Sequence, residues 1–120
     1  MKKLLEAVEY LHSRKYYHRD IKPMNILIQN DEHIVKLADL GQIFDGNIEG
    51  FTGRIPQESP VVGTVGYRPP DTADPAGHLP GPLDVFSCGV VMFAITIGFE
   101  PFFRDKLNIE RIPLFSFIEN

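Results

Sequence analysis

Apolar residues recur at helical spacing at the start of the chain, where Leu4, Leu5, Val8 and Leu11 are interleaved with lysines and glutamates. Side chains three and four positions apart lie on one face of an α-helix, so this spacing predicts an amphipathic helix over residues 2–13. No capping residue and no other element precede this helix, and we therefore expect the chain to be truncated at this end.

The pattern then changes to short β-rich runs. Residues 26–28 and 34–37 consist mainly of isoleucine, leucine and valine, and the polar residues 29–33 separate them. Two such runs joined by a short polar connection predict a β-hairpin. The polar and aromatic stretch before the hairpin, residues 16–25, contains Pro23, which argues against a continued helix.

The second half of the chain begins with a long stretch rich in turn-forming residues. Residues 41–82 hold most of the glycines and prolines, which predicts an irregular segment that is either functional or disordered. A helical pattern returns over residues 82–98, with an early proline, Asp84 in the first turn and a glycine as stop signal. Its apolar run is too short to span a bilayer comfortably, which favours a buried core helix. Residues 99–120 give no assignable pattern.

The composition fits one globular domain or part of one. The 120 residues are 43% hydrophobic and carry a formal net charge of -4. The absence of a basic tract argues against nucleic-acid binding, and no targeting or membrane-spanning segment is evident. The single cysteine, Cys88, excludes an intramolecular disulfide and lies in an apolar run, which predicts an inert buried thiol. We expect an intracellular protein, cytoplasmic or nuclear.

The most informative stretch is residues 18–25, His-Arg-Asp-Ile-Lys-Pro-Met-Asn. Phosphoryl transfer needs a carboxylate for the proton of the attacking hydroxyl, a cation to stabilise charge on the transferring group, and oxygen ligands for magnesium. Asp20, Lys22 and Asn25 supply these three groups in order on one short loop. The alternative is a polar turn in which Asp20 and Asn25 only cap backbone groups.

Three further motifs follow in order along the chain. They are an Asp-Leu-Gly triplet at residues 39–41, a Gly-Thr-Val-Gly-Tyr-Arg-Pro-Pro-Asp run at residues 63–71, and the apolar helix that begins near Asp84. Together with residues 18–25 they resemble the eukaryotic-type serine/threonine protein kinase family. The motifs match its catalytic loop, its metal-binding triplet, the end of its activation segment and the central helix of its large lobe. The resemblance covers residues 1–103.

The resemblance implies a nucleotide site that binds ATP and Mg²⁺. Asp39 and Asn25 would be the metal ligands, and Gly41 would give the backbone freedom at the start of the activation segment. Leu27 would lie beneath the adenine ring, although a strand leucine is more often a plain core residue. Leu40 departs from the family pattern, in which phenylalanine is more common.

The resemblance also assigns supporting roles. Thr64 would lie near Asp20 and Lys22, as in serine/threonine-specific members. Asp84 would hydrogen-bond the backbone of the catalytic loop without acting as a catalyst. Three further positions differ from the family pattern. Pro69 replaces its alanine, Asp71 its glutamate and Phe86 its tryptophan.

The resemblance also assigns Arg19 a regulatory role. In the family, an arginine at this position binds a phosphorylated side chain in the activation segment. Ser59 and Thr52 are the candidate acceptors, and Ser59 is nearer the usual position. His18 is expected to pack and to hydrogen-bond without acid–base chemistry.

The predicted fold class is α+β, namely the mainly α-helical large lobe of the protein-kinase-like fold with a short β-hairpin, truncated at both ends and without a small lobe. The predicted segments are a helix (1–13), the catalytic loop (16–25), the hairpin (26–37), the activation segment (39–71), the central helix (82–98) and an unassigned tail (99–120).

Two classes of function remain open at this point. The first is ATP-dependent phosphorylation of serine or threonine in protein substrates, with this chain as an inactive fragment of the enzyme. The second is a non-catalytic kinase remnant that binds a partner. No Gly-rich phosphate loop occurs in the sequence, so the chain is expected to need a small lobe or a partner chain for stability and activity.

Overall fold

The computed structural model describes residues 1–29, 34–105 and 108–111. Within these ranges the chain forms two α-helices, six short β-strands and three 3-10 turns. In order they are α1 (Lys2–Ser13), β1 (Tyr16–Tyr17), a 3-10 turn (Pro23–Asn25), β2 (Ile26–Gln29), β3 (Ile34–Leu37), a 3-10 turn (Leu40–Gln42), β4 (Phe44–Asp45), a 3-10 turn (Pro70–Ala73), α2 (Pro80–Ile97), β5 (Phe102–Asp105) and β6 (Asn108–Arg111).

The strands form three separate two-stranded antiparallel sheets in the described part of the chain. In the hairpin, Ile26 of β2 lies opposite Leu37 of β3, which is the pairing that the two β-rich runs predict. Strand β1 pairs with β4, so the start of the catalytic loop (16–25) contacts the segment after the hairpin. Strands β5 and β6 pair with each other within residues 99–120, for which the sequence predicts nothing. Residues 112–120 lie outside the described residues.

The apolar core lies between α1, α2 and the catalytic loop. Helix α1 buries Leu4 and Val8, one turn apart on the face that the spacing of its leucines predicts. Ile21, in the catalytic loop, is fully buried in the same cluster. The cluster is completed by residues of the later segments: Tyr67, Cys88, Val90 and Val91.

Helix α2 begins two residues earlier than predicted and is buried on one face. It starts at Pro80 and ends at Ile97, and Gly98 terminates it with a positive φ of 102°. The expectation of a buried core helix is therefore only partly correct, because Met92 and Ile95 are 52% and 68% exposed.

The length and apolarity of α2 also satisfy a simple test for a membrane span. The helix has 18 residues and a mean hydropathy of 1.6, which a core helix also reaches. Its buried residues include Asp84 and Ser87, and both side chains hydrogen-bond backbone groups of other segments. Polar groups that anchor distant loops are characteristic of a helix packed inside a folded domain.

One backbone bridge holds the irregular segment against the start of α2. Ile55 and His78 exchange two backbone hydrogen bonds, each 2.8 Å long. Gly77 precedes His78 with a φ of 89°, and a Cβ atom on Gly77 would overlap the carbonyl oxygen of Ile55. The bridge therefore requires glycine at this position, both for the φ angle and for the close approach of the two backbones.

We predict that Gly77→Ala destabilises the chain by more than Gly50→Ala. Both glycines have a positive φ, so each alanine carries a left-handed penalty of about 1–2 kcal/mol, but a Cβ on Gly50 meets nothing within 4 Å. Chemical denaturation of the two variants measures the difference. Equal losses of unfolding free energy in the two variants would show that the close approach of Gly77 to Ile55 has no energetic role.

Candidate active site

The backbone of the catalytic loop is anchored by one buried carboxylate. Asp84 is completely buried, and its two oxygens accept hydrogen bonds from the backbone N–H groups of His18 (3.0 Å) and Arg19 (2.8 Å). The Nε2 atom of His12 lies 2.8 Å from the same carboxylate and donates to it. Helices α1 and α2 therefore hold the catalytic loop between them through Asp84.

His18 connects the catalytic loop to the end of the hairpin. Its buried ring places Nε2 at 2.8 Å from the carbonyl oxygen of Ala38, and its Nδ1 accepts from the backbone N–H of Asp20 at 3.2 Å. The backbone N–H of Ala38 donates to the carbonyl of Asn25 at 2.8 Å. Because Asp39 follows Ala38, these bonds position Asp39 beside the catalytic loop.

Asp20, Lys22 and Thr64 form a hydrogen-bonded set. The hydroxyl of Thr64 donates to Oδ1 of Asp20 at 2.6 Å and accepts from Nζ of Lys22 at 2.9 Å. The ammonium group of Lys22 also lies 3.9 Å from the carboxylate of Asp20. The sequence predicts Asp20 and Lys22 from one loop. In the structure the hydroxyl of Thr64, 44 positions after Asp20, links the two side chains.

The two predicted metal ligands differ in their surroundings. Asn25 is buried, and its Nδ2 donates to the backbone carbonyl of Asp20 at 2.7 Å. This bond uses the amide nitrogen and leaves the amide oxygen as a ligand atom. Asp39 is exposed, has a φ of 56° and accepts from the N–H of Gly41 at 3.2 Å.

The donor chemistry of Asn25 and Asp39 fits magnesium. Amide and carboxylate oxygens are the hard ligands that this ion prefers, and Mg²⁺ usually takes one or two protein ligands together with phosphate oxygens. No group of three or more His, Cys, Asp or Glu side chains able to hold a metal occurs among residues 1–29, 34–105 and 108–111. A site with few protein ligands is therefore the type that these residues support.

Leu27 lies on β2 opposite Lys36 and is 51% exposed. The plain core role that competes with adenine binding is therefore wrong for Leu27. A different cavity, of about 340 Å³, opens beside the hydrogen-bonded set and is lined by Lys22, Pro23, Met24, Thr64, Tyr67 and Glu100.

Several contacts of the site are absent from the sequence-based expectations. Arg68 is buried, and its guanidinium donates to the backbone carbonyls of residues 61–63. Burial lowers the pKa of the Arg68 guanidinium, and the charge of Asp20 partly opposes this shift. Ser87 donates to the carbonyl of Tyr67 at 2.7 Å. Arg68 and Ser87 therefore shape the segment that carries Thr64, and no motif in the sequence marks either of them for this purpose.

Arg19 contacts a carboxylate, where the sequence predicts a phosphorylated side chain. Its guanidinium forms an ion pair with Glu58 and donates to the carbonyl of Gln42 at 2.7 Å. Ser59 and Thr52 are exposed. Phosphorylation at either residue stays a prediction.

His78 is buried without a hydrogen-bond partner for either ring nitrogen among the described residues. Burial lowers the pKa of His78, and the positive charges of Arg19 and Arg54 lower it further, while Glu58 and Asp71 oppose the shift. The folded chain therefore favours the neutral imidazole.

We predict that Asp84→Ala destabilises the chain by about 3–5 kcal/mol, because it leaves two buried backbone N–H groups without an acceptor. The control is Asp74→Ala, which removes an exposed carboxylate that accepts one bond, from the N–H of Ala76. Denaturant titration should place the Asp74→Ala loss below about 1 kcal/mol. A small loss for Asp84→Ala would contradict the anchoring role.

We predict that His78→Leu stabilises the chain at pH 8 by about 1 kcal/mol, because two unpaired ring nitrogens are removed from the interior. The advantage should grow as the pH falls below the ordinary histidine value of 6.5, since only the unfolded wild-type chain then takes up a proton on His78. Unfolding free energies at pH 8, 6.5 and 5.5 measure this trend. A difference that does not change with pH would rule out the lowered pKa.

Comparison with known proteins places this geometry in a family. The chain matches the protein kinase domain over residues 1–117. It is 39% identical to CBL-interacting protein kinase 29 of Oryza sativa subsp. japonica over 103 residues, which covers 84% of this chain and 21% of the relative. It is 35% identical to CBL-interacting serine/threonine-protein kinase 10 of Arabidopsis thaliana over 104 residues, covering 87% and 21% respectively.

The chain thus spans about one fifth of the length of these curated relatives. The match nevertheless extends over almost all of its own residues and includes the catalytic loop. The chain belongs to the protein kinase family, and the Arabidopsis relative is a serine/threonine-protein kinase.

Proposed function

We propose that this chain is the part of the large lobe of a serine/threonine kinase that carries the catalytic loop (16–25), the activation segment (39–71) and the central helix (82–98). The whole enzyme transfers the terminal phosphoryl group of ATP to serine or threonine hydroxyls of protein substrates. The observation that carries this proposal is the hydrogen-bonded set, in which Thr64 lies within hydrogen-bond distance of both Asp20 and Lys22.

The hydrogen-bonded set supplies the groups that a hydroxyl nucleophile needs. Asp20 accepts the proton of the substrate hydroxyl, and the bond from Thr64 fixes the orientation of its carboxylate. Lys22 provides a positive charge near the transferring phosphoryl group, where negative charge gathers in the transition state. The cavity beside Lys22 and Thr64 is the region where the substrate chain approaches.

The nucleotide and its metal ion have three candidate partners, Asn25, Asp39 and Leu27. Asn25 and Asp39 would hold Mg²⁺ through their side-chain oxygens, and the exposed side chain of Leu27 would lie against the adenine ring. When bound, the ion neutralises phosphate charge during transfer. The backbone bonds of Ala38 to His18 and Asn25 keep Asp39 next to the loop.

The 120 residues alone are proposed to be inactive. They contain no G-x-G-x-x-G sequence to cover the phosphates, so the remaining phosphate contacts come from a small lobe or a partner chain. Because catalysis by kinases consists largely of positioning and electrostatic stabilisation, one half of the nucleotide site provides little of the rate enhancement.

A second candidate function is non-catalytic binding. Helix α1 and strand β3 enclose an open groove of about 440 Å³ that is lined mainly by apolar residues, including Tyr10 and Leu40. These two side chains are 58% and 57% exposed, and exposed apolar surfaces of this kind often mark protein contacts. A remnant that binds a small lobe or another protein through this groove would need no functional Asp20.

The prediction that separates the two functions uses the chain preceded by the small lobe of the rice relative. We expect this fusion to phosphorylate serine or threonine peptides in the presence of ATP and Mg²⁺. Asp20→Ala and Asp39→Ala should each lower kcat by at least about a hundredfold, because they remove the hydroxyl-proton acceptor and a metal ligand. Radiolabelled phosphate transfer measures the rates.

The matched control is Asp74→Ala, an exposed aspartate outside the site, which should leave kcat unchanged. The 120-residue chain without a small lobe should transfer no phosphate in the same assay. Transfer by the chain alone that depends on Asp20 would disprove the proposed inactivity. Full activity of the Asp39→Ala fusion would remove Asp39 from the metal site.

A further inference from the structure

Arg19 joins the catalytic loop to two distant points of the following segment. Its side chain is only 6% exposed, and the guanidinium donates from Nη1 to the carboxylate of Glu58 and from Nε to the carbonyl of Gln42. The same group lies 5.4 Å from the ring centre of Phe44. One side chain therefore holds both ends of residues 42–58 against the catalytic loop.

The backbone of Arg19 is also constrained. It has a φ of 69°, in the left-handed region, and its N–H donates to Asp84. A residue other than glycine adopts this conformation only where surrounding contacts enforce it, at a cost of about 1–3 kcal/mol. Because Arg19 directly precedes Asp20, contacts that fix both ends of Arg19 also fix the position of the catalytic carboxylate.

A buried guanidinium needs a counter-charge, and Glu58 provides it. Among the described residues, Glu58 is the carboxylate that forms an ion pair with Arg19. Its side chain remains 40% exposed, so the carboxylate is placed between the buried cation and solvent. Leaving Arg19 without this partner would bury an unpaired charge, which is strongly unfavourable.

We propose that Glu58 is a positioning residue that aligns Asp20 through Arg19, so that the activation segment is ordered against the catalytic loop without a phosphate on Ser59 or Thr52. The catalytic consequence rests on the proposed kinase function, whereas the ordering of the segment does not. Glu58 thus supplies the negative charge that the family resemblance assigns to a phosphorylated side chain.

The charges around Arg19 make a phosphate at Ser59 a competitor of Glu58. Phosphoserine carries about −1.5 to −2 charges at pH 7, and at position 59 it would be adjacent to the glutamate. The neighbouring Arg54 already donates to the carbonyl of Gly77 at 2.9 Å. A phosphate would therefore replace the contact between Glu58 and Arg19 and would add little further order.

Hydrogen exchange on the unphosphorylated 120-residue chain, produced as a fusion with a solubility partner, tests the ordering. Glu58→Gln keeps the shape of the side chain and removes its charge. We expect the amide of Ile55, which donates to the carbonyl of His78, to exchange about ten- to a hundredfold faster, the factor for losing a hydrogen bond to a charged group. Unchanged exchange in α2 verifies that the chain remains folded. Glu58→Asp, which retains the charge, should restore part of the protection.

The matched control is Glu49→Gln, because Glu49 is an exposed carboxylate of the same segment without an ion pair in the described part of the chain. Glu49→Gln and Ser59→Ala should both exchange like the wild type. Phosphoserine incorporated at position 59 should restore protection in the Glu58→Gln chain and add none to the wild type. Wild-type exchange in Glu58→Gln, or a tenfold gain from phosphoserine in the wild type, would overturn the proposal.

The small-lobe fusion tests the effect on Asp20. After phosphatase treatment, Glu58→Gln should lower kcat about tenfold or more and leave the KM for ATP unchanged, while Ser59→Ala alters neither value. Equal kcat values for Glu58→Gln and wild type would refute the positioning role. An inactive wild-type fusion would instead refute the proposed kinase function, and the exchange measurements would still decide whether Glu58 orders the segment.

Discussion

The site depends on the hydrogen bonds that the carboxylate of Asp84 accepts from the catalytic loop. This carboxylate is fully buried in α2 and bonds backbone groups that lie 65 and 66 positions away, at Arg19 and His18. In the same helix, Ser87 bonds the carbonyl of Tyr67, three residues after Thr64. Two polar side chains one turn apart therefore set the relative positions of the catalytic loop and the segment that supplies the hydroxyl to it.

The backbone and the side chains of the catalytic loop contact different segments of the chain. The backbone is held from α2, the side chain of His18 holds the end of the hairpin, and Arg19 holds the activation segment. Asp20 lies among these contacts, and its own side chain remains in reach of Thr64 and Lys22. The contacts that hold the loop in place are therefore made mainly by the neighbours of Asp20, and the Asp20 side chain itself contacts Thr64 and Lys22.

Local patterns in the sequence predict the elements and the chemistry of the catalytic loop, since helical spacing around Leu4 and Val8 depends only on neighbouring residues. The motif at residues 18–25 likewise places its carboxylate, cation and amide on one loop. The resemblance also predicts the bonds of Asp84 to the backbone of the catalytic loop, but the ion-pair partner of Arg19 and the histidine that contacts Asp84 are harder to predict. Glu58 and His12 belong to no motif, and their contacts depend on tertiary packing across 39 and 72 positions. The ring nitrogens of His78, which have no hydrogen-bond partner in the part of the chain that the structure describes, also have no local signal, because burial is a property of the fold.

The single cysteine gives this chain an internal reporter of core opening. Cys88 is 3% exposed in the cluster formed with Ile21 and Tyr67, and burial, with the charge of Asp84, raises the pKa of its thiol to about 11. Only the thiolate is nucleophilic, so an alkylating reagent is excluded both by access and by protonation while the core is closed. The rate of Cys88 alkylation at neutral pH therefore measures how often α2 separates from the catalytic loop, and no further cysteine has to be introduced.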